Sequence, residues 1–370
     1  MKKNNWKSMV GFGVAAMTIC MGAMTAMAAG TEGDVAGADE STGGTTATVQ
    51  TTAAQITKEL KLAEGITIPG ATFEFTATKI TDDAPDATIT DITYSASDSK
   101  GDLTNGVYLI DKSSNITFGT FPHAGEYQYT VTETKNTYNP ASGESMVYST
   151  ESYTMRVYVI NSENGGTEID KITATNTSGD KVDTMKFENV YAKNDASLTI
   201  SKKTEGKHAD RTKDFTFTLT FTKSATVDAD TYDGMIGNEK VEFKAGKAKT
   251  FELHHGEEIV FTNLPAGTHY VVEEAGTEGY TPTVKVVENS IETVNPKDAK
   301  TKSGDSLSTA ETGETNLVGE GTNTVDFTNS YADIPITGLI LSNLPFAILI
   351  GAAAVLLALG TFAKRFKTEK

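Results

Sequence analysis

Two sets of three polar residues recur at matched spacing in this chain of 370 residues. Lys58, Glu133 and Asn189 form the first set, and Lys202, Glu274 and Asn329 form the second. Lys to Glu spans 75 residues in one and 72 in the other; Glu to Asn spans 56 and 55. Each residue lies in a short run of alternating apolar and polar residues, the period of a strand. Side chains alternate across a strand, so Lys58 shares a face with Ile56, Glu133 with Tyr129 and Val131, and Asn189 with Phe187. The second set repeats this: Lys202 follows Leu198 and Ile200, Glu274 follows Tyr270 and Val272, and Asn329 follows Phe327. The neighbours Lys203 and Glu273 fall on the opposite face. An amine, a carboxyl and a carboxamide facing one apolar core are costly unless paired. Three readings are open. The groups form a buried ion pair with an amide hydrogen bond, or the strand phases differ and all six are surface residues. In the third reading, Lys and Asn join in an intramolecular isopeptide bond. Burial would lower the lysine pKa and leave a neutral nucleophile. Burial would also raise the glutamate pKa, so that a protonated carboxyl polarises the Asn carbonyl and moves protons while ammonia leaves.

The elements that must hold these residues form a diverged repeat. Ile56-Thr57-Lys58, Phe73-Glu74-Phe75-Thr76, Tyr129-Thr130-Val131-Thr132-Glu133 and Phe187-Glu188-Asn189-Val190-Tyr191 make one copy. Ile200-Ser201-Lys202, Phe215-Thr216-Phe217-Thr218, Tyr270-Val271-Val272-Glu273-Glu274 and Phe327-Thr328-Asn329-Ser330-Tyr331 make the other. Turn signals correspond too, Phe121-Pro122-His123-Ala124-Gly125 against Leu264-Pro265-Ala266-Gly267. Short Thr-, Val-, Tyr- and Phe-rich runs between Gly, Asn, Asp and Pro clusters predict an all-β chain with sandwich-like spacing. The boundaries follow: a flexible Gly-, Thr-, Ala- and Ser-rich arm over 29–52, a first sandwich over 53–192 and a second over 193–333.

Both ends read as processing segments. Lys2, Lys3 and Lys7 precede an apolar stretch ending in Ala26-Met27-Ala28, a secretory signal over 1–28. The single cysteine, Cys20, lies inside it, so the mature chain holds neither disulfide nor thioester. An exported protein without disulfides needs another reinforcement, and a first-to-last-strand crosslink would supply it. The other end, 334–370, opens with Ile334-Pro335-Ile336-Thr337-Gly338, continues with an apolar span over 339–363 and closes with a basic tail over 364–370. The two processing ends hold seven of the 32 basic and one of the 49 acidic residues, leaving 25 against 48, a net −23. Such acidity argues against nucleic acid and anionic lipid as partners and favours solubility.

The order motif, span, basic tail resembles a Gram-positive sorting signal, with Ile334 where leucine is commoner. That resemblance implies that a sortase cysteine attacks the Thr337 carbonyl, releases Gly338 onward and passes Thr337 to an amine. Residues 55–338 as a whole resemble the streptococcal T-antigen (FctA-type) backbone pilins. The likeness is clearest in Leu198-Thr199-Ile200-Ser201-Lys202-Lys203, Asp210-Arg211-Thr212-Lys213-Asp214-Phe215, Asn263-Leu264-Pro265-Ala266-Gly267 and Phe327-Thr328-Asn329. It implies two tandem Ig-like (CnaB-like) sandwiches, with Lys58–Asn189 and Lys202–Asn329 bonds and Glu133 and Glu274 as their catalysts. It also implies an acceptor lysine shortly before the last strand of the first domain. Lys181 lies there at a one-residue offset, and Lys193 in Val190-Tyr191-Ala192-Lys193-Asn194 is its rival. The implied partners are a pilus-specific (class C) sortase, other pilin subunits, cell-wall peptidoglycan and a tip adhesin, at the cell wall or pilus surface. A wall-anchored adhesin or accessory pilin binding a host ligand is the alternative.

Other signals carry less. Asp228, Asp230, Asp233 and Glu239 resemble a calcium loop, but Tyr232 holds its fifth position and Gly234 falls one place late, which favours an acidic surface loop. His254-His255 has no second ligand cluster near it in sequence. Neither a metal nor a cofactor is expected, nor catalysis on an external substrate.

Overall fold

The structure, a computed structural model, describes residues 52–295 and 301–332. The signal segment, nearly all of the arm, and the sorting segment with Thr337 and Gly338 lie outside the described residues. Among the described residues there is no helix, and hence none long and apolar enough to cross a membrane.

The chain forms two tandem β-sandwich domains. The first opens with β1 (Ala54–Ala63), β2 (Ala71–Phe73), β3 (Phe75–Lys79), β4 (Ala87–Ile89), β5 (Ile92–Tyr94) and β6 (Val107–Phe118). It continues through β7 (Gly125–Glu133), β8 (Glu144–Val147), β9 (Ser152–Asn161), β10 (Thr167–Thr175), β11 (Lys181–Val182) and β12 (Met185–Lys193). The second opens with β13 (Ala196–Glu205), β14 (Phe215–Thr222), β15 (Thr231–Ile236), β16 (Glu239–Lys244), β17 (Lys249–Leu253) and β18 (Glu258–Leu264). It closes with β19 (Thr268–Glu274), β20 (Tyr280–Glu288), β21 (Ile291–Val294), β22 (Leu307–Ser308), β23 (Asn316–Val318) and β24 (Thr324–Tyr331).

In the first domain, three-residue β4 bridges β3 to β6, so the sheet runs unbroken as β11-β10-β9-β7-β3-β4-β6-β1-β12-β8. It folds over on its own apolar face. Phe187 on β12 packs against Phe75 on β3 at 5.4 Å and Tyr153 on β9 at 5.3 Å between ring centroids. The second domain has two separate sheets, β16-β15-β18-β13-β24-β20-β21 and β17-β14-β19-β22, with β23 also on β19. Its facing rings include Phe217 with Phe327 at 5.1 Å and Phe221 with Phe261 at 5.1 Å. Inward residues of these strands are buried, the outward ones exposed or half-buried, as the period-two pattern dictates.

One feature is common to both domains: the first and last strands are parallel neighbours. β1 pairs with β12, setting Lys58 opposite Phe187 and Leu60 opposite Asn189. β13 pairs with β24, setting Lys202 opposite Phe327 and Thr204 opposite Asn329. A parallel pair needs a long crossover, and here nearly the whole domain is that crossover.

The domains meet through a shaped loop after β23. Asn289 and Ser290, at φ 49° and 68°, make the two-residue turn between β20 and β21, the left-handed pair that hairpins favour. Asn323 is buried, and its side chain accepts from the N–H groups of Asn289 and Gly319, both at 2.9 Å. The same side chain donates to the carbonyls of Ser197, Gly319 and Gly321. The loop so held presents Glu320, whose carboxylate accepts from the Thr67 N–H and hydroxyl and lies 3.4 Å from Lys193 Nζ. The turn before β19 closes the contact from the other side: Ala266 N–H donates to the Lys193 carbonyl at 2.8 Å. Gly267, at φ +85°, lies so close that a Cβ would sit 2.5 Å from that of Ala63. Replacing Asn323 with Ala strips this loop of its central hydrogen bonds. A loss of about 3 kcal/mol is expected in urea unfolding, against less than about 0.5 kcal/mol for exposed Thr322→Ala.

Candidate functional site

The parallel register builds the site twice. Lys58 and Asn189 lie on the same face of adjacent strands, offset by two positions, and Lys202 and Asn329 repeat that offset. The third residue comes from the opposite layer. Glu133 ends β7 opposite Phe75, and Glu274 ends β19 opposite Phe217. All six side chains are buried, with Lys58 and Asn189 wholly inaccessible.

In the first domain Lys58 Nζ lies 2.9 Å from Glu133 Oε1 and 3.0 Å from Oε2. Asn189 Nδ2 donates to Glu133 Oε1 at 2.6 Å. The Ser149 backbone N–H donates to Asn189 Oδ1 at 2.7 Å. Lys58 Nζ also sits 4.6 Å from the centre of the Phe73 ring. Tyr94, itself buried, fixes the strand behind the amine by donating to the Lys58 carbonyl at 2.7 Å. In the second domain Lys202 Nζ donates to Glu274 Oε1 at 2.7 Å, and Asn329 Nδ2 donates to the same oxygen at 2.5 Å. Lys202 Nζ lies 4.2 Å from the Phe215 ring centre. Glu274 Oε2 and Asn329 Oδ1 have no hydrogen-bond partner among the described residues.

The surroundings set the proton affinities. Burial lowers Lys58 and Lys202 to about 8, against the pull of the adjacent carboxylates. Burial raises Glu133 and Glu274, opposed by the lysines and by the Asn hydrogen bonds. Each site therefore holds an amine that gives up its proton more readily than a free lysine, beside a carboxyl that holds one more readily than a free glutamate. The expected contact between carboxyl and Asn carbonyl is absent from this geometry. The carboxyl meets the amide nitrogen, because a carboxylate oxygen can only accept and the Asn NH2 is the donor at hand. In the first domain the amide oxygen faces a backbone donor that sequence reasoning missed.

The remaining candidates fall elsewhere. Lys181 is exposed on two-residue edge strand β11. Lys193 is half-buried between Glu144 at 3.9 Å and Glu320 at 3.4 Å. Lys223 Nζ lies 2.5 Å from both Asp228 and Asp230, and Lys240 lies 2.8 Å from Asp233. His255 Nδ1 accepts the Thr204 N–H, and His254 Nδ1 lies 2.7 Å from Glu257.

Residues 54–192 match the family of Spy0128-like isopeptide containing domains, and residues 196–331 match a domain family of unknown function, DUF7601. A pilin of Streptococcus pyogenes serotype M1 is 30% identical over 280 residues, which cover 72% of this chain and 74% of that protein. The chain belongs to the pilin family. Among solved structures, the major pilin of S. pyogenes is 27% identical over 75% of this chain and 98% of its own, with a TM-score of 0.32. The S. pyogenes major pilin T3.2 is 25% identical over 76% and 99%, with a TM-score of 0.34. Pilins are structural proteins of the cell surface that assemble with other pilin subunits.

The lowered lysines give this pilin a testable pH signature. In a chain carrying Asn189→Ala and Asn329→Ala, both Lys–Glu pairs remain. Each lysine is held near 8 when folded and 10.5 when unfolded, so the unfolded state binds more protons between those values. Stability should therefore rise as pH goes from about 8 to about 10.5, and this gain should be absent below 8. The raised carboxyls act in the opposite sense at lower pH, where stability falls as pH rises above 4.5. Adding Lys58→Met and Lys202→Met should flatten the alkaline limb. A limb unchanged by those substitutions would refute the assignment.

Proposed function

We propose that this chain is the shaft subunit of a sortase-built pilus and that each domain locks itself with one Lys–Asn isopeptide bond. The observation that carries the reading is the pair of buried Lys–Glu–Asn sets at equal register. The neutral lysine amine attacks the Asn side-chain carbonyl carbon, and a C–N bond forms. The amine proton passes through the carboxyl to the Asn nitrogen, the old C–N bond breaks, and ammonia leaves. Lys58 and Asn189 become one neutral amide, as do Lys202 and Asn329. The glutamate returns to its starting state, so the step is a single maturation event and not turnover. Glu133 suits the relay because its two oxygens face both the nucleophile and the leaving nitrogen. Closing a loop of over a hundred residues restricts the unfolded chain by an amount on the order of 5 kcal/mol, by analogy with a disulfide.

Export by the 1–28 signal, retention by the 339–363 span and cleavage between Thr337 and Gly338 complete the reading. A pilus-specific sortase would join Thr337 to a lysine of the next subunit, and the last subunit to peptidoglycan. Lys181 is the acceptor we favour, because it is exposed on an edge strand. The Lys193 amine is drawn between two carboxylates at the domain contact.

A recombinant chain of residues 29–337 should weigh about 34 Da less than its sequence mass, two molecules of ammonia. Glu133→Ala should restore about 17 Da in the first domain alone, and Glu274→Ala the same in the second. A mass equal to the sequence mass would refute both bonds. Purified polymers digested with trypsin should yield a branched peptide joining Thr337 to Lys181. A branch at Lys193 would overturn that choice.

A further inference from the structure

The two crosslinking sites differ in one group. In the first, the Asn189 amide oxygen accepts the Ser149 backbone N–H at 2.7 Å. In the second, the Asn329 amide oxygen has no partner among the described residues. The strand beside each Asn explains the difference. β8 pairs with β12 only from Glu144 to Val147, with Val190 opposite Val147. The chain then leaves the ladder, and the Ser149 N–H, buried with its residue, turns to the Asn side chain. β20 instead stays paired with β24 from Tyr280 to Val287, past Asn329. The residue opposite Asn329 is Pro282, which has no N–H to give.

We propose that the Ser149 amide is the oxyanion donor of the first site, and that the first domain's bond consequently forms ahead of the second's. The proposal rests on the isopeptide reading. When the Lys58 amine adds to the Asn189 carbonyl carbon, the π electrons move onto Oδ1. That oxygen carries negative charge until the bond to nitrogen breaks and ammonia departs with the proton relayed by Glu133. A fixed N–H aimed at Oδ1 stabilises that charge in a site buried from solvent. Nucleophile, relay, leaving group and oxyanion donor are then all present at the first site. The second site has the first three, and the charge on Asn329 Oδ1 develops without a fixed donor. Removing one such donor from an acyl-transfer site slows it by about 10²–10³.

Two chains of residues 29–337 isolate the reactions: Asn329→Ala leaves only the first crosslink, and Asn189→Ala leaves only the second. Both are made by cell-free translation, and the loss of about 17 Da is followed by mass spectrometry after a pulse. The first crosslink should form at least about tenfold faster than the second. In the Asn329→Ala chain, replacing Ser149 by its α-hydroxy acid turns the amide into an ester and deletes the N–H alone. That replacement should slow the loss by about 10²–10³. Ser149→Ala keeps the N–H and removes the hydroxyl, which accepts the Glu151 N–H at 3.2 Å; it should leave the rate within about twofold. Circular dichroism matching the parent chain excludes a folding defect in the ester. An ester chain that folds and crosslinks at the parent rate overturns the oxyanion assignment, as does equal slowing by ester and alanine. A second crosslink as fast as the first overturns the order. No mass loss in either parent chain overturns the isopeptide reading itself, a result distinct from the other three.

Discussion

The parallel pairing of first and last strands is the constraint on which the rest of this molecule depends. It brings residues more than a hundred positions apart into one register, Lys58 against Phe187 and Lys202 against Phe327. A one-residue slip in either pair would send Asn189 or Asn329 to the solvent face. The aromatic packing opposes that slip. Phe187 is held between Phe75 and Tyr153, and Phe327 against Phe217. The same rings make the surroundings apolar, and that lowers the lysines and raises the carboxyls. Packing, register and reactivity thus have one physical source. As an ion pair, each buried Lys–Glu contact is a weak stabiliser, since desolvation offsets much of the attraction. The proposed conversion to a neutral amide would remove that cost.

The contact between the domains uses different chemistry. It is built from backbone hydrogen bonds and from two carboxylates, Glu320, positioned by Asn323, and Glu64, 3.7 Å from His269 Nε2. Close approach at Gly267 leaves no room for a side chain. Lys193 belongs to both sides of this contact: its carbonyl accepts from Ala266 and its amine lies near Glu320. In an acidic chain of net charge −17, a lysine between two carboxylates relieves local repulsion. That role is hard to combine with service as an exposed nucleophile.

Much of this was legible in the sequence, and the remainder was hidden for identifiable reasons. Period-two alternation put Lys58, Glu133 and Asn189 on apolar faces, because a strand's geometry is local. The all-β class followed from the same runs. The pairing partners did not, since register between β1 and β12 is decided by side chains far apart in sequence. The unbroken sheet of the first domain turns on three-residue β4, too short to stand out from Ala84-Pro85-Asp86-Ala87-Thr88. Lys193 entered as the rival acceptor, because its partner Glu320 comes from the other domain and no local pattern announces the contact. The Ser149 N–H had no signature at all. Every residue but proline carries one, and only the departure of the chain after β8 aims this one at Asn189.

Parallel terminal strands also decide how load would cross the molecule. A chain pulled at both ends draws β1 by its start and β12 by its end, in opposite senses along one hydrogen-bonded ladder. All the bonds of that ladder then share the force in shear. With the proposed amide in place, tension enters at Ala54, crosses from Lys58 to Asn189 and leaves by Lys193. The residues between them are outside the covalent path. Domains crosslinked in this way need only enough core stability to fold once and hold the reacting groups together. Extension would be resisted by covalent bonds and not by packing. A disulfide at this position would serve the same geometry, but the chain's single cysteine, Cys20, lies outside both domains, and an amide is indifferent to redox state. The proposed amides would have to form before the subunit bears load. The first domain, nearer the start of the chain, is also the one whose Asn oxygen meets a fixed donor. On the proposed chemistry it would lock first, ahead of the second, whose Asn329 oxygen meets no donor among the described residues.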